Sequence, residues 1–206
     1  MAAYATSTDV RQYLGVTSTS DSALMTALVL RAQTAIDNFT RRTFASTGNT
    51  TRRFTVGKDT DGRKLYFDRD LITVNSIVNL ADSTATETVS TGHYITMPRN
   101  TGPYYGVELR SNSTIAWDYE TEPEMGITVS GKWGYSTVAP ADIKHACVRL
   151  AAYFYRQKDA QVFDVTASPA TGQITVPQGV PADVKLILAP YVRPLMSVSL
   201  AYDDGY

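Results

Sequence analysis

Two different hydrophobic periods divide the chain into three stretches. Near the N-terminus, and again after Pro140, apolar residues recur every three or four positions, which is the spacing of one helix face. Between Arg52 and Lys132, apolar and polar residues alternate, as in a strand with one buried face. The pattern predicts an α+β fold, in which N- and C-terminal helices form a bundle and a small antiparallel β-sheet or sandwich is inserted between them.

The first helical stretch has clear starts and ends. Residues 6–14 are predicted to form a short helix that Gly15 closes, because glycine readily takes the left-handed conformation that ends helices. Asp21 offers a cap for a longer second helix that runs to about Arg41. The apolar face predicted for this second helix consists of Leu24, Leu28, Ala32, Ala35, Ile36 and Phe39.

A third helix is predicted after Pro140, which lacks an N–H group and is therefore tolerated at a helix start. Asp142 lies in its first turn, where a carboxylate interacts favourably with the helix dipole. Its predicted apolar face consists of Ile143, Ala146, Cys147, Leu150, Ala151 and Phe154. We expect Leu150 to face Leu28 and Ile36 of the second helix.

The C-terminal part combines a polar segment, a helix and a tail. Residues 159–179 are rich in Ser, Thr, Gly and Pro, and they are predicted to be a long loop with a possible strand at 174–176. An apolar helix follows from Val180, and Pro190 and Pro194 should end it. The predicted organisation is a helical core of residues 1–51 and 133–196, a β insertion of residues 52–132 and a C-terminal arm of residues 197–206.

Glycine and proline mark turns inside the β stretch. The pair Asp61-Gly62 is typical of a tight turn. The predicted strands lie around Phe54 and at residues 65–67, 72–80, 94–96, 104–110 and 126–131. We expect the last strand to break between Gly131 and Gly134, because glycine permits a bend that bulky neighbours could not make.

Composition and charge limit the classes of function. The chain has 206 residues, of which 43% are hydrophobic and 19% charged, as in globular proteins. Its 19 basic and 20 acidic residues give a net charge of −1, without the basic excess typical of proteins that wrap nucleic acid. One cysteine cannot form an internal disulfide, and the sequence has neither a signal peptide nor an apolar membrane span. We expect a soluble protein that folds in a cytoplasm, without a membrane partner.

Candidates for catalysis or metal binding are few. His93 and His145 have no Cys or His partner at zinc-ligand spacing. Cys147 lies on an apolar helix face, without a flanking charge that would favour the thiolate. Residues 58–62 match only part of a calcium loop, because the distal glutamate is missing. We therefore expect no enzymatic activity, no cofactor and no metal.

Aromatic and basic residues are the better candidates for binding, because aromatic side chains and arginine often anchor interfaces. The candidates are Tyr104, Tyr105, Trp117, Tyr119, Arg41 and Arg42. Two other interpretations stay open at this point. The aromatic residues could cover a small sandwich core, and the arginines could be ordinary surface charge.

Two stretches of the chain resemble the head–tail connector proteins of tailed bacteriophages, which are also called adaptor or head completion proteins. The first stretch, residues 127–158, has a strand, Trp133-Gly134-Tyr135, the run Ala-Pro-Ala-Asp-Ile-Lys-His-Ala and an aromatic-rich helix. The second, Asp37 to Phe44, ends the long helix with an acidic residue, a Thr, an Arg and a Phe. The order of short helix, polar turn and long helix is also similar.

The resemblance implies a structural virion protein of the phage neck. Such a protein forms a homo-oligomeric ring of twelve subunits between the portal protein and a stopper or tail-completion protein. The ring completes the DNA-filled head and continues the DNA channel, and DNA passes it without sequence-specific binding. The implied location is the virion neck, after assembly in the host cytoplasm.

The resemblance also assigns roles to particular residues. C-terminal regions of this family often engage the portal, so Val198, Leu200, Tyr202 and Tyr206 become candidate portal-binding residues. The six aromatic and basic residues named above become candidates for a subunit or stopper interface. The alternative is a β-rich glycan-binding module of a phage or bacterial particle, in which Tyr104, Tyr105, Trp117 and Tyr119 form a sugar-stacking platform.

Overall fold

The computed structural model describes residues 2–46, 48–160, 166–168, 173–175 and 180–194. These residues fall into two compact units, which are called here the helical unit (residues 2–45 and 138–193) and the sheet unit (residues 46–137). Helices and an antiparallel sheet together confirm the predicted α+β class. The predicted insertion boundaries at 52 and 132 stay a prediction, and the predicted arm lies outside the described residues.

The elements of the described ranges are, in chain order, α1 (Ser7–Leu14), α2 (Ser22–Thr40), β1 (Asn49–Phe54), β2 (Thr60–Asp61), β3 (Lys64–Asn79), β4 (Glu87–Thr88), β5 (Tyr94–Met97), β6 (Tyr104–Leu109), β7 (Ile127–Trp133), α3 (Ala141–Ala160), β8 (Thr166–Ser168), β9 (Gln173–Thr175) and α4 (Ala182–Leu188). Short 3-10 turns occur at Pro123–Met125 and Ala189–Tyr191. Within the described ranges, no helix is sufficiently long and apolar to span a membrane.

Capping fixes the ends of α1. The Thr6 hydroxyl accepts the N–H of Asp9 at 3.2 Å, and the Asp9 carboxylate accepts the N–H of Thr6 at 2.8 Å. This reciprocal pair is a capping box, which satisfies two donors that the first helical turn leaves unbonded. Gly15, at φ 70°, ends the helix as predicted.

The helix α3 lies at the centre of the helical unit, where it packs against α1, α2 and α4. The residues of α3 that are buried are Ile143, Ala146, Cys147, Val148, Leu150, Ala151 and Ala152. The predicted apolar face is therefore confirmed except at Phe154, which is half-buried.

The buried face of α2 differs from the predicted one by about one position. Its buried residues are Met25, Val29, Ala32, Gln33, Ile36 and Thr40. Two of them are polar and have hydrogen-bond partners, since Gln33 accepts the N–H of Tyr4 and Thr40 donates to the carbonyl of Ile36. A pattern that counts only apolar residues does not predict the burial of Gln33 and Thr40, because it contains no information on their hydrogen-bond partners. The predicted residues Leu24, Leu28, Ala35 and Phe39 are half-buried.

The strand β3 is the spine of the sheet unit. The antiparallel sheet has the order β1-β7-β3-β6-β5, and the short strands β2 and β4 also pair with β3. The sequence predicted two strands here, at residues 65–67 and 72–80, but they are one strand of 16 residues. Its register with β6 shifts between Tyr66 and Leu71. Such a bulge interrupts the alternation of buried and exposed positions while the strand continues.

The strand β7 passes through Gly131, where the sequence analysis placed a break. A Cβ at this position would lie 2.3 Å from the carbonyl oxygen of Thr73 on β3, so Gly131 permits a close approach of two backbones. The chain leaves the strand at Gly134, whose φ of 137° is a conformation that other residues rarely adopt. The predicted bend therefore occurs at the second glycine only.

A cluster of aromatic rings fills the core of the sheet unit. The rings of Phe54, Phe67 and Trp133 lie 5.4–6.0 Å apart, centroid to centroid. The indole N–H of Trp133 donates to the carbonyl of Thr50 at 2.8 Å, so its polar atom is satisfied inside the core. Other buried members of this cluster are Leu65, Leu71, Ile77, Val107, Leu109, Ile127 and Val129.

The apolar helix predicted after Val180 is only partly buried. Val184 and Leu188 are buried, but the side chain of Leu186 is 77% exposed and that of Val192 is 39% exposed. In the stretch predicted as a loop, α3 continues to Ala160, and β8 and β9 pair as a small antiparallel hairpin. The possible strand at 174–176 overlaps β9.

Candidate subunit interface

The six predicted interface residues divide between the two units. Arg41 and Arg42 follow α2, and Arg41 has the left-handed backbone of a helix cap, with φ 56°. Its side chain is exposed. Arg42 is half-buried, and its Nε donates to the carbonyl of Tyr191 at 2.7 Å. Arg42 therefore helps to hold the segment after α4 against the end of α2, and Arg41 is the more available of the two.

The other four residues lie in the sheet unit, at different depths. Trp117 is only 8% exposed, and its indole N–H donates to the carbonyl of Arg63 at 3.0 Å. Tyr119 is 42% exposed, whereas Tyr104 and Tyr105 are half-buried. With so little of Trp117 exposed, these four side chains do not offer the continuous flat surface that sugar stacking requires. Their assignment to a subunit or stopper interface stays a prediction.

Tyr104 lies in a groove of the sheet unit, between the middle of β3 and the edge strand β5. The groove, called here the arginine groove, has a volume of about 570 Å³. Its lining residues are Ile72, Thr73, Val74, Thr91, Tyr94, Ile95, Thr96, Arg99, Tyr104 and Arg110. Two arginines and no carboxylate belong to this lining, so the groove has a positive charge.

The side chains of Arg99 and Arg110 are both exposed. Within the described residues, neither guanidinium has a hydrogen bond or an ion pair with another side chain. Glu108 lines an adjoining depression together with both arginines, and among the described residues it is the one acidic residue in the linings of these two cavities. The charge of the arginine groove is therefore only partly balanced by its own surroundings.

Tyr119 lies on a second surface, called here the acidic loop (residues 118–124). Asp118, Glu120, Glu122 and Glu124 are all exposed. These four acids alternate with other residues along the chain, and this spacing is the signal that could have revealed the loop from the sequence. Only the aromatic residues Trp117 and Tyr119 of this region were predicted as interface candidates.

Buried polar groups fix the base of the acidic loop. Asn79, at the end of β3, is only 1% exposed. Its amide donates to the carbonyl of Ala116 at 2.7 Å and accepts the N–H of Asp118 at 3.1 Å. Together with the bond from Trp117 to Arg63, these contacts join the start of the loop to the sheet, although residues 118–122 have no regular secondary structure.

Asp82 holds the middle of the same loop. Its carboxylate accepts the N–H groups of Glu120, Thr121 and Glu122 at 3.0, 2.6 and 2.9 Å. These bonds, the one from Thr121 first, favour the ionised form and hold the pKa of Asp82 at about 2, below the ordinary value of an aspartate. The loop therefore presents its acids on a backbone that is fixed in advance.

Other basic residues of the sheet unit have internal partners. Arg52 forms an ion pair with Asp68 at 2.6 Å, and its guanidinium lies 5.2 Å from the centre of the Trp133 ring. Arg63 donates to the backbone carbonyls of Leu109, Arg110 and Ser113. These arginines stabilise the fold, in contrast to Arg99 and Arg110.

The helical unit has an exposed groove of its own, with a volume of about 460 Å³. It is lined by Asp142, His145, Leu186, Ile187, Pro190 and Tyr191. The hydroxyl of Tyr191 donates to Asp142 at 3.2 Å across this groove. The exposed face of α4 thus provides a largely apolar surface beside a carboxylate and an imidazole.

The residues considered for catalysis or metal binding have separate structural environments. Nδ1 of His93 lies 3.1 Å from the hydroxyl of Ser113, and His145 makes an edge contact with the ring of Tyr13. Burial raises the pKa of the Cys147 thiol to about 12, so the thiolate is not formed near neutral pH. Across the described ranges, no three His, Cys, Asp or Glu side chains are grouped so that they could hold a metal ion.

The four predicted portal-binding residues, Val198, Leu200, Tyr202 and Tyr206, lie outside the described residues.

Comparisons with solved structures find a similar fold in necks of gene transfer agent particles. A chain from the neck of the empty particle, computed with C6 symmetry, aligns with a TM-score of 0.57 and 16% identity, over 93% of this chain and 91% of that chain. A chain from the neck of the native particle, computed with C12 symmetry, gives 0.55 and 17%, over 92% and 90%. A chain from the native virion gives 0.54 and 17%, over 93% and 91%.

At such identities the likeness establishes the fold only. Comparison with curated protein sequences gives no match. A family model described as head completion protein matches residues 4–193, which is nearly the whole chain. The protein therefore belongs to the head completion protein family.

Proposed function

We propose that this protein is a structural component of the neck of a phage-like particle. Its copies form a ring of twelve between the portal protein and a stopper or tail-completion protein, and the ring completes the DNA-filled head. The observation that carries this proposal is the family match over residues 4–193. The similar fold of a neck chain in a particle computed with C12 symmetry supports the number of copies.

The charge of the chain suits a ring through which DNA passes. Affinity for DNA rises with the number of phosphates that basic side chains neutralise, and tight binding would slow the passage of DNA. Here 19 basic residues are offset by 20 acidic ones, and several of the arginines are bound to groups of their own chain. The ring therefore continues the DNA channel without sequence-specific binding.

Portal contact is assigned to the C-terminal arm. In residues 197–206, Val198, Leu200 and Tyr202 alternate with small residues, and Tyr206 ends the run Asp-Asp-Gly-Tyr. A segment of this pattern can add to the edge of a partner's sheet, with alternate side chains in pockets. The protein reaches this location by assembling on the head in the host cytoplasm and then remains in the virion neck.

Assembly on purified heads tests the proposal. DNA-filled heads that carry a portal but lack this protein are mixed with the purified chain, and electron microscopy and nuclease resistance of the packaged DNA are recorded. We expect added density with twelve subunits below the portal, together with protection of the DNA. Heads that show neither, at saturating protein, would contradict the neck assignment.

A further inference from the structure

The sheet unit carries two surfaces of opposite charge that its own fold leaves separate. The arginine groove is lined by residues of β3 such as Val74, and the acidic loop is anchored at Asn79, where β3 ends. Asn79 lies five positions after Val74 along the strand, which corresponds to ~17 Å at the rise of a β-strand. None of the residues 118–124 of the acidic loop belongs to the lining of the groove in its own chain.

We propose that the acidic loop of one copy docks into the arginine groove of the next copy. This inference rests on the proposed ring and identifies the surfaces through which its subunits meet. The loop and the groove are different surfaces, so the contact is heterologous, and each copy keeps one free loop and one free groove. Repetition of such a contact builds a ring when the rotation closes.

Charge complementarity is the reason for proposing that a second copy of the chain occupies the groove. The groove offers Arg99 and Arg110, whose guanidinium groups have five donors each and suit carboxylate acceptors. The loop offers Glu120, Glu122 and Glu124, all exposed, from a segment of the same chain. A second copy therefore supplies an acidic ligand at the same concentration as the groove that receives it.

Aromatic side chains accompany the charges on both surfaces. Tyr119 is 42% exposed at the start of the acidic loop, and Tyr104 lines the groove while packing partly against the sheet core. Tyrosine contributes apolar contact area together with a polar hydroxyl, and for this reason it is common at the centres of interfaces. The two surfaces thus include Tyr104 and Tyr119, which the sequence predicts as interface candidates.

The fixed backbone of the loop lowers the cost of docking. Its N–H groups at 120–122 are bound to Asp82, and Asn79 holds its start. A ligand segment that is ordered before binding loses less conformational entropy on association than a flexible one. The remaining attraction is between exposed charges, which contribute little individually and are screened by salt. We therefore expect weak pairing in solution and stable rings only where a portal gathers the copies.

Charge exchange between the two surfaces provides the test. The groove variant carries Arg99→Glu and Arg110→Glu, and the loop variant carries Glu120→Lys and Glu122→Lys. Self-association is measured by sedimentation velocity near 0.01 M ionic strength, where the screening length is ~30 Å. Each variant alone should associate about tenfold more weakly than the wild type, equivalent to ~1.4 kcal/mol.

An equimolar mixture of the two variants is the decisive sample. The reversed groove of one fits the reversed loop of the other, and the unchanged groove and loop also fit, so alternating copies should regain association. A matched control, Lys58→Glu with Arg69→Glu, reverses two exposed charges of the sheet unit outside both surfaces and should behave as wild type. Thermal melts of all variants check that folding is unchanged.

The outcomes separate this contact from the proposed function. Wild type that shows no association, variants that associate like wild type, or a mixture that fails to recover would each overturn the contact. If only the groove variant is impaired, the groove contacts a part of the neighbouring copy other than the acidic loop, and the proposal is wrong. Recovered pairing in solution together with absence from heads would instead keep the contact and contradict the neck assignment.

Discussion

At the scale of single residues, the interior of α3 shows how a pattern of apolar positions becomes a core. Cys147 and Leu150 are fully buried, and the sulfur of Cys147 lies 3.7 Å from the carbonyl oxygen of Val29 on α2. The thiol stays protonated because burial penalises the charged form. Cys147 therefore acts as a small apolar side chain between two helices.

Leu150→Ala should destabilise the helical unit by ~2–5 kcal/mol, because it removes buried methyl groups and leaves a cavity that the close-packed helices cannot fill. Urea unfolding followed by the helical circular dichroism signal measures the change in free energy. Leu186→Ala is the matched control, since the same change at a side chain that is 77% exposed should stay within ~0.5 kcal/mol. Equal effects at both positions would show that the face of α3 is misassigned.

Asp82 gives a residue-scale prediction that depends on pH. Its pKa in the folded protein, about 2, lies below the ~3.9 of an unfolded aspartate. The carboxylate therefore holds the acidic loop fully above about pH 4, and this contribution is lost as the pH falls toward 2. Carboxyl NMR shifts should titrate near pH 2, with the amide signals of Thr121 and Glu122 moving together with them.

Hydrogen exchange provides the variant test for Asp82. Asp82→Ala should speed exchange of the amides at 120–122, because these donors lose their acceptor. Glu124→Ala removes an exposed carboxylate of the same loop and should leave those amides unchanged. Exchange that is equally slow in both variants would mean that other contacts order the loop.

The sequence alone predicts the burial of some of these residues, but it does not predict the hydrogen bonds of others. The burial of Leu150 and Cys147 follows from their spacing with Ile143 and Ala146, all within one helix. The roles of Asp82 and Asn79 were not predicted, because their partners lie about 40 positions away, across a loop without periodicity. Hydrogen bonds between a side chain and backbone groups about 40 positions away leave no signature in the local sequence.

At the scale of elements, the helices were more predictable than the strands. The start of α1 at its capping box and its end at Gly15 depend on neighbouring residues, so local sequence determines them. The long strand β3 was predicted as two, because a bulge shifts which residues face the core. The pairing of β3 with both β6 and β7 depends on segments that are remote in sequence.

Gly131→Ala tests the close approach of β7 to β3. A methyl group would lie 2.3 Å from the Thr73 carbonyl oxygen, so the strands must separate, and we expect a loss of ~1–3 kcal/mol in unfolding free energy. Gly92→Ala is the control, because its nearest neighbour would be the Ser90 hydroxyl at 3.9 Å. Chemical denaturation of both variants, followed by tryptophan fluorescence, measures the change. If Gly131→Ala were as stable as the control, the backbones of β7 and β3 would not lie so close together.

At the scale of the whole molecule, the sequence predicted the α+β class and the family, while the surfaces required the structure. Periodicity separates the helical and sheet units because it is a property of long segments. The arginine groove combines residues of β3, β5 and β6 with positions in the segments before and after β5 and after β6, so no single stretch of sequence reveals it. Leu186 also shows the limit of hydropathy, because an apolar helix residue can be 77% exposed. Exposed apolar side chains commonly contact partner proteins in assemblies.

The last prediction concerns the C-terminal arm at this same scale. Deletion of residues 197–206 retains all the buried core residues that the structure describes, so the melting temperature should change little. The deletion removes Val198, Leu200, Tyr202 and Tyr206, and with them the proposed portal contact. We therefore expect the truncated chain to be absent from heads, which then release their DNA.

A second variant tests whether the portal contact needs the apolar side chains of the arm or only its length. Replacing Val198, Leu200 and Tyr202 with serine keeps the length and removes the alternating apolar side chains that an edge contact needs. Incorporation into heads is measured by quantitative mass spectrometry of purified particles, with nuclease resistance as a second measurement. Both variants should fail while the charge-exchange mixture of the loop and the groove still assembles, because the arm and the subunit contact act at different interfaces. If the truncated chain fills the neck and the particles stay infectious, the portal contact lies elsewhere on the protein.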